Sequence, residues 1–97
     1  MGTQEEGGDP LATRRRRLRY RASHRGIQEM DIVLGGYVDA LADRLSEVQM
    51  ERIERLLDES DTDLLAWITG QAAAPADADR ELISEISAFQ AGRFKKL

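Results

Sequence analysis

The stretch GIQEMDIVLGGYVDALADRL, residues 26–45, repeats apolar side chains at steps of three and four residues. This is the period of an α-helix that buries one face, so the stretch predicts a long amphipathic helix. The predicted buried face consists of Ile27, Met30, Leu34, Tyr37, Val38, Leu41 and Leu45. Gly35 and Gly36 interrupt the helix at a cost of about 1 kcal/mol each relative to alanine, so we expect a kink or a close helix contact there.

Two further helices are predicted downstream, each with its own start signal. Ser46 followed by Gln49 is a capping box, in which both side chains satisfy backbone N–H groups at a helix N-terminus. Asp61 is the predicted N-cap of the next, short helix, and Gly70 its end. The side chains predicted to face the core are Met50, Ile53, Leu56 and Leu57 in the first of these helices, and Leu64, Leu65, Trp67 and Ile68 in the second.

A last helix is predicted after the connector QAAAPADAD, residues 71–79. Asp77 is its predicted cap, and Gly92 its predicted end before a basic tail of residues 93–97. Its apolar positions at helical spacing are Leu82, Ile83, Ile86 and Phe89.

The N-terminal part of the chain divides into a polar segment and a basic helix. Residues 1–13 contain two adjacent glycines, a proline and three acids, and we predict a disordered lead-in. Residues 14–24 are good helix formers, and Gly26 ends that helix by adopting a left-handed conformation. The predicted fold is therefore all-α, a small five-helix bundle over residues 14–92 with short connections.

Composition excludes several functional classes. A chain of 97 residues with 41% apolar content forms one small domain. Because it has no cysteine and only one histidine, His24, it has no disulfide, no thiol nucleophile and no adequate ligand set for zinc. No apolar run approaches the ~20 residues that span a bilayer, and no secretory signal is recognisable. We therefore expect a cytoplasmic protein with no membrane insertion.

The charges are distributed unevenly. Seven arginines and no acid lie among residues 14–25, whereas residues 29–63 hold eleven acids and three arginines. The arginine run is compatible with a solvated helix face, a nucleic-acid arm or a docking element for an acidic or phosphate-bearing partner. The acidic body would repel phosphates, so we do not expect a nucleic-acid partner. A small nucleic-acid-binding regulator that uses residues 14–21 remains the alternative, and a helical adaptor for an unrelated acidic protein is a third hypothesis.

The segment HRGIQEMD, residues 24–31, joins the basic helix to the acidic one. Glu29 and Asp31 lie in the first turn of the second helix, where a carboxylate favours the positive end of the helix dipole. That effect does not require both acids, and the helical period places Glu29 well away from the predicted buried face. Neither a second histidine nor a glycine-rich phosphate loop accompanies these acids, so we do not predict an enzyme.

Two segments resemble one known family. RGIQEMD, residues 25–31, and LLDESDTDLLAWITG, residues 56–70, resemble the small succinate dehydrogenase flavinylation factors of the SdhE type. The most specific part of the resemblance is the pattern R-G-x-x-E-[LM]-D, which is matched by Arg25, Gly26, Glu29, Met30 and Asp31.

This resemblance implies a helical assembly chaperone. Such a factor binds the flavoprotein subunit of succinate dehydrogenase, or of fumarate reductase, and promotes covalent attachment of FAD to that subunit. By the same resemblance, the partner-binding residues are expected at an exposed bend formed by His24, Arg25, Gly26, Glu29 and Asp31. The factor itself is expected to hold no cofactor stably and to be a monomer when free.

Overall fold

The structure is a computed structural model that describes residues 9–95, except for the side chains of Ala42 and residues 93–95. Within these residues the chain forms five α-helices and no strand, which confirms the predicted all-α fold. The helices are α1 (Pro10–Ser23), α2 (Gln28–Leu41), α3 (Glu47–Leu57), α4 (Asp61–Thr69) and α5 (Arg80–Lys95), with a 3-10 turn at Ala42–Arg44.

Helix α1 begins four residues earlier than predicted. The side chain of Asp9 caps it by accepting the Leu11 N–H at 3.0 Å, and Pro10 occupies the first helical position, where its missing N–H costs nothing. Leu11 also packs against the core. The prediction of disorder is therefore wrong for residues 10–13. Residues 1–8, for which disorder was also predicted, lie outside the residues that the structure describes.

The double glycine of α2 marks a close helix contact and not an interruption, because α2 runs through it to Leu41. A Cβ atom on Gly35 would lie 2.9 Å from the Cβ of Ser23 in α1. The absence of a side chain at Gly35 thus allows the two helices to approach. Beyond Leu41 the chain tightens into the 3-10 turn, and Leu45 is buried just after it.

The caps of α3 and α4 are partly as predicted. Ser46 and Gln49 form the capping box of α3, and Gly70 ends α4 with a φ of 82°. The N-cap of α4 is Ser60 and not Asp61, because the Ser60 hydroxyl accepts the Asp63 N–H at 3.2 Å. Asp61 is the first helical residue, and this leaves its carboxylate available for another contact.

The predicted limits of α5 are wrong at both ends. The Asp79 carboxylate, not that of Asp77, accepts the Leu82 N–H at 3.1 Å and binds the Arg52 guanidinium with two hydrogen bonds of 2.8 and 2.9 Å. The hydrogen bond from Arg52 holds the pKa of Asp79 below its ordinary value. Gly92 does not stop the helix, which continues to Lys95, so the predicted basic tail is helical at residues 93–95.

All five helices contribute to a single core. Its buried side chains include Leu18 and Ala22 of α1; Met30, Leu34 and Val38 of α2; Met50, Ile53, Leu56 and Leu57 of α3; Leu64 and Ile68 of α4; and Leu82, Ile83 and Ile86 of α5. Five of the residues predicted on the apolar faces are only partly buried against the core: Ile27, Leu41, Leu65, Trp67 and Phe89. Among the described helices, none is long and apolar enough to cross a membrane.

Replacing Gly35 by alanine tests the close contact between α1 and α2. The added methyl group would overlap Ser23, and overpacking of this kind costs roughly 1 to 3 kcal/mol. Gly92→Ala is the matched control, because no atom lies within 4 Å of its added Cβ and alanine favours a helix by up to about 1 kcal/mol. Thermal unfolding should show a lowered Tm for Gly35→Ala alone. Equal Tm values for both variants would contradict the contact.

Tyr37 provides a test at alkaline pH. Burial raises its pKa to about 12, and a hydrogen bond from its hydroxyl to the Glu85 carboxylate (3.0 Å) adds to the shift. The folded-state pKa lies above the ordinary value of 10, so this contribution to stability is complete below pH 10 and is lost as the pH rises towards 12. We expect the urea midpoint of Tyr37→Phe to fall less steeply than that of the parent protein as the pH rises from 10 towards 12. An unchanged slope would contradict the assignment, and Tyr20→Phe, at an exposed position, controls for loss of a hydroxyl.

Candidate functional site

The bend between α1 and α2 depends on a glycine. Gly26 has a φ of 98°, which places it in the left-handed region, and a Cβ atom there would meet nothing within 4 Å. Backbone conformation and not space therefore requires glycine, and a side chain would cost about 1 to 2 kcal/mol. Gly26 lies three residues after the last residue of α1, and α2 begins two residues later.

The side chain of Arg25 points into the protein. Its Nε donates to Asp61 Oδ1 at 2.6 Å, its Nη2 donates to the Glu59 carbonyl at 2.9 Å, and its Nη1 donates to the Leu57 carbonyl. The guanidinium thus joins the bend to the end of α3 and the start of α4. Carbonyls at a helix C-terminus lack helical partners, so a cation there satisfies them and favours the helix dipole.

This arrangement corrects the expectation that the whole bend is exposed. The side chain of Arg25 is 11% exposed and that of Asp61 is 17% exposed, so most of the pair is removed from water. The corner between α3 and α4 supplies one carboxylate and two carbonyls, which match the donors of a guanidinium. Arg25 therefore braces the bend, and a partner would reach little of its side chain.

Asp31 is a second internal brace. Its Oδ1 accepts the backbone N–H of Arg25, and its side chain is partly buried. This bond holds the start of the bend against the first turn of α2. Asp31 therefore does more than compensate the helix dipole, which explains why the segment carries two acids.

Glu29 lies on the outer side of the same turn. It is exposed, and the described residues give its carboxylate neither a hydrogen bond nor an ion pair. Gly26, also exposed, adds no side chain next to it. The bend therefore presents an accessible carboxylate on a backbone that Arg25 and Asp31 hold in place.

His24 is the remaining residue predicted for the site. Its exposed ring stacks on that of Tyr20, with centroids 3.9 Å apart and planes inclined by 14°. The Nδ1 atom lies 2.9 Å from the Tyr20 carbonyl oxygen, which can only accept, so this geometry assigns the proton to Nδ1. The stack covers the end of α1 beside the bend and fixes the orientation of the imidazole.

The arginine run of α1 contacts groups of its own chain. Arg14 binds Glu54 through two hydrogen bonds of 2.9 and 2.8 Å, and this contact lowers the pKa of Glu54. Arg15 donates to the Leu45 carbonyl at 3.3 and 3.1 Å. Two more exposed pairs join Arg19 to Asp39 at 2.8 Å and Arg21 to Asp58 at 3.1 Å. These contacts attach a helix with only two buried side chains to the rest of the protein.

The same contacts reduce the case for a nucleic-acid arm. Only Arg16 and Arg17 of the run are exposed without an ion pair or hydrogen bond in the described part of the chain. A groove that tracks a phosphate backbone needs several free cations side by side. The arginine run is better explained as the element that attaches α1 to the acidic body.

Sequence reasoning missed three residues near the bend. The sequence predicts Asp61 only as an N-cap, whereas its carboxylate pairs with Arg25 in the structure. Ile32 does not belong to the predicted buried face of α2, and in the structure its side chain is 47% exposed. An apolar residue outside the buried face of a helix was therefore a signal that the sequence already offered. Gln90 gave no signal, because its position beside α2 depends on how α5 packs.

A model of one protein family matches residues 16–90, and this family is described as the flavinator of succinate dehydrogenase. The matched range contains the bend, the α3–α4 corner that binds Arg25 and most of α5. It therefore covers every predicted site residue.

Curated relatives carry related descriptions. The chain is 42% identical over 69 residues to the FAD assembly factor SdhE of Acetobacter pasteurianus, a match of 71% of this chain and 63% of that protein. It is 36% identical to the mitochondrial succinate dehydrogenase assembly factor 2 of Aspergillus flavus, over 64% of this chain and 21% of that protein. The Saccharomyces cerevisiae protein of that name is 28% identical over 92% of this chain and 57% of its own length. The chain thus spans less than two thirds of each relative, and no solved structure matches it significantly.

The Arg25 contacts predict a loss of stability when they are removed. Arg25→Ala should lower the free energy of unfolding by roughly 1.5 to 3 kcal/mol, because it leaves the Asp61 carboxylate and two carbonyls without their donors. Arg17→Ala, at an exposed position, is the control and should change it by no more than about 0.5 kcal/mol. Urea denaturation measures both. If Arg25→Ala were as stable as the control, Arg25 would not brace the bend.

Proposed function

Because the chain belongs to the family of flavinators of succinate dehydrogenase, we propose that it is an assembly factor for a flavoprotein. It binds the flavoprotein subunit of succinate dehydrogenase, or of fumarate reductase, in the cytoplasm and promotes covalent attachment of FAD to that subunit. The descriptions of its relatives as FAD assembly factor and succinate dehydrogenase assembly factor support this role.

The outward position of Glu29 is the observation that carries the docking surface. Arg25 and Asp31 are engaged inside the protein, whereas Glu29 is accessible beside the bare backbone of Gly26. A carboxylate on a braced backbone selects a cationic or N–H-donating group on a partner, and the bend itself need not be ordered on binding. Of the five residues predicted at the bend, Glu29, Gly26 and His24 meet the client, and Arg25 and Asp31 position them.

The factor acts as a chaperone and not as a catalyst. The descriptions of the family and of its relatives, a flavinator and assembly factors, support this assignment. The bond to FAD therefore forms within the client, which the factor holds in a competent conformation. FAD belongs to the client and is not held stably by the factor.

Glu29→Ala tests this proposal, with Glu81→Ala as a matched control. Both glutamates are exposed and occupy the second position of a helix, α2 and α5 respectively. Glu81 also lies 3.7 Å from an Arg52 nitrogen, but a pair this exposed adds little, so each substitution should cost about 0.3 to 1 kcal/mol of stability. We expect only Glu29→Ala to reduce covalent flavin strongly when the variant is co-expressed with the flavoprotein subunit. Flavin fluorescence on a denaturing gel measures the product, and circular dichroism checks that both variants are folded.

Two outcomes would contradict the proposal. If Glu29→Ala supports normal flavin attachment, Glu29 is not a docking residue. If both variants lose activity in proportion to their lost stability, the acid at the bend has a purely structural role.

A further inference from the structure

An open groove lies directly beside Glu29. It has a volume of about 440 Å³ and lies between α2, α4 and α5. Its walls are mainly apolar, and Glu29 occupies one part of the rim. The lining residues used below are Glu29, Ile32 and Val33 of α2, Leu65 and Ile68 of α4, and Gln90 and Ala91 of α5.

Ile32 connects this groove to the docking surface. It lies three residues after Glu29, on the same side of α2, and is 47% exposed. Two of the other lining residues, Val33 and Ile68, belong to the buried core, so the floor of the groove is firm. An exposed apolar side chain beside an accessible carboxylate favours a partner segment that is apolar and carries a cation.

Gln90 adds a polar requirement. Its Oε1 atom is buried and has no hydrogen-bond partner within the described structure. An unsatisfied buried acceptor is costly in the free protein, and rotation of the Gln90 amide into the groove that it lines would bring this oxygen to a donor of the occupant. The groove therefore favours an occupant that also supplies an N–H group.

We propose that the groove between α2, α4 and α5 binds a segment of the same flavoprotein subunit. The segment places an apolar side chain against Ile32 and Leu65, donates an N–H group to Gln90 and directs a cationic group to Glu29. This inference rests on the proposed function and extends its docking surface from the bend to α5. A second copy of this chain is a poorer occupant, because the same face of that copy has no lysine or arginine among its lining residues to direct to Glu29.

Filling the groove provides the direct test. Ala91→Phe places a ring in it, whereas Ala88→Phe adds the same ring at an exposed position of α5 outside the groove. Binding of each full-length variant to the purified flavoprotein subunit is measured by calorimetry. We expect Ala91→Phe to raise the Kd about tenfold or more, as loss of a central contact does, and Ala88→Phe to leave it near the parent value. Equal Kd values for the two variants would overturn the inference.

Gln90→Leu gives an independent readout. It removes the unpartnered oxygen at similar volume, so we expect the Tm of the free factor to stay constant or rise while client binding weakens about tenfold. A merely structural role for Gln90 would lower the Tm and leave the Kd unchanged. That result would overturn the part assigned to Gln90.

The outcomes separate this inference from the proposed function. If Glu29→Ala binds weakly but Ala91→Phe and Gln90→Leu bind normally, the client uses the bend alone and the groove inference is wrong. If all three bind normally, the proposed docking surface is wrong as well. A dimer in sedimentation that Ala91→Phe dissociates would identify a second copy of this chain as the occupant, and that result would overturn the inference.

Discussion

The Arg25 guanidinium is the contact on which the arrangement of the candidate site depends. It lies where the bend after α1 meets the corner between α3 and α4, and it satisfies Asp61 together with two backbone carbonyls. Arg25 is also tied through its backbone N–H to Asp31 in α2. One residue therefore fixes the direction in which α2 starts, and with it the outward position of Glu29. In a small domain with limited stability, such a brace provides a rigid surface without a large core.

The charged residues of the chain have two different roles, since some hold the fold together and Glu29 remains accessible at the surface. Arginines of α1 pair with acids and a carbonyl of the acidic body and attach a helix that has little apolar surface of its own. Glu29 lies outside this network, next to the apolar groove that begins at Ile32. In the proposed docking the partner meets a carboxylate and an apolar surface, whereas the abundant arginines mainly serve the fold. The net charge of the chain would not by itself have predicted this division of roles.

Helical periodicity predicted the fold well, because each apolar face repeats over several turns and each turn adds to the signal. Helix limits were less predictable where two nearby polar residues can each serve as the N-cap of the same helix. Ser60 and Asp61 are such a pair for α4, and Asp77 and Asp79 are such a pair for α5. The identity of the bend was readable from Arg25, Gly26 and Glu29. The inward direction of Arg25 was not, because its partners lie more than thirty residues away and meet it only when α3 and α4 pack. Long-range pairing of this kind leaves no local pattern.

The central claim is that a client docks on the bend and the groove and not on the arginine face of α1. Hydrogen–deuterium exchange of the factor, with and without the flavoprotein subunit, tests it most directly, because ordering by a partner slows exchange in the elements that it covers. The account predicts slower exchange at residues 26–33 and 87–91 on binding, and no change at residues 14–21. Slowing confined to residues 14–21 would contradict it.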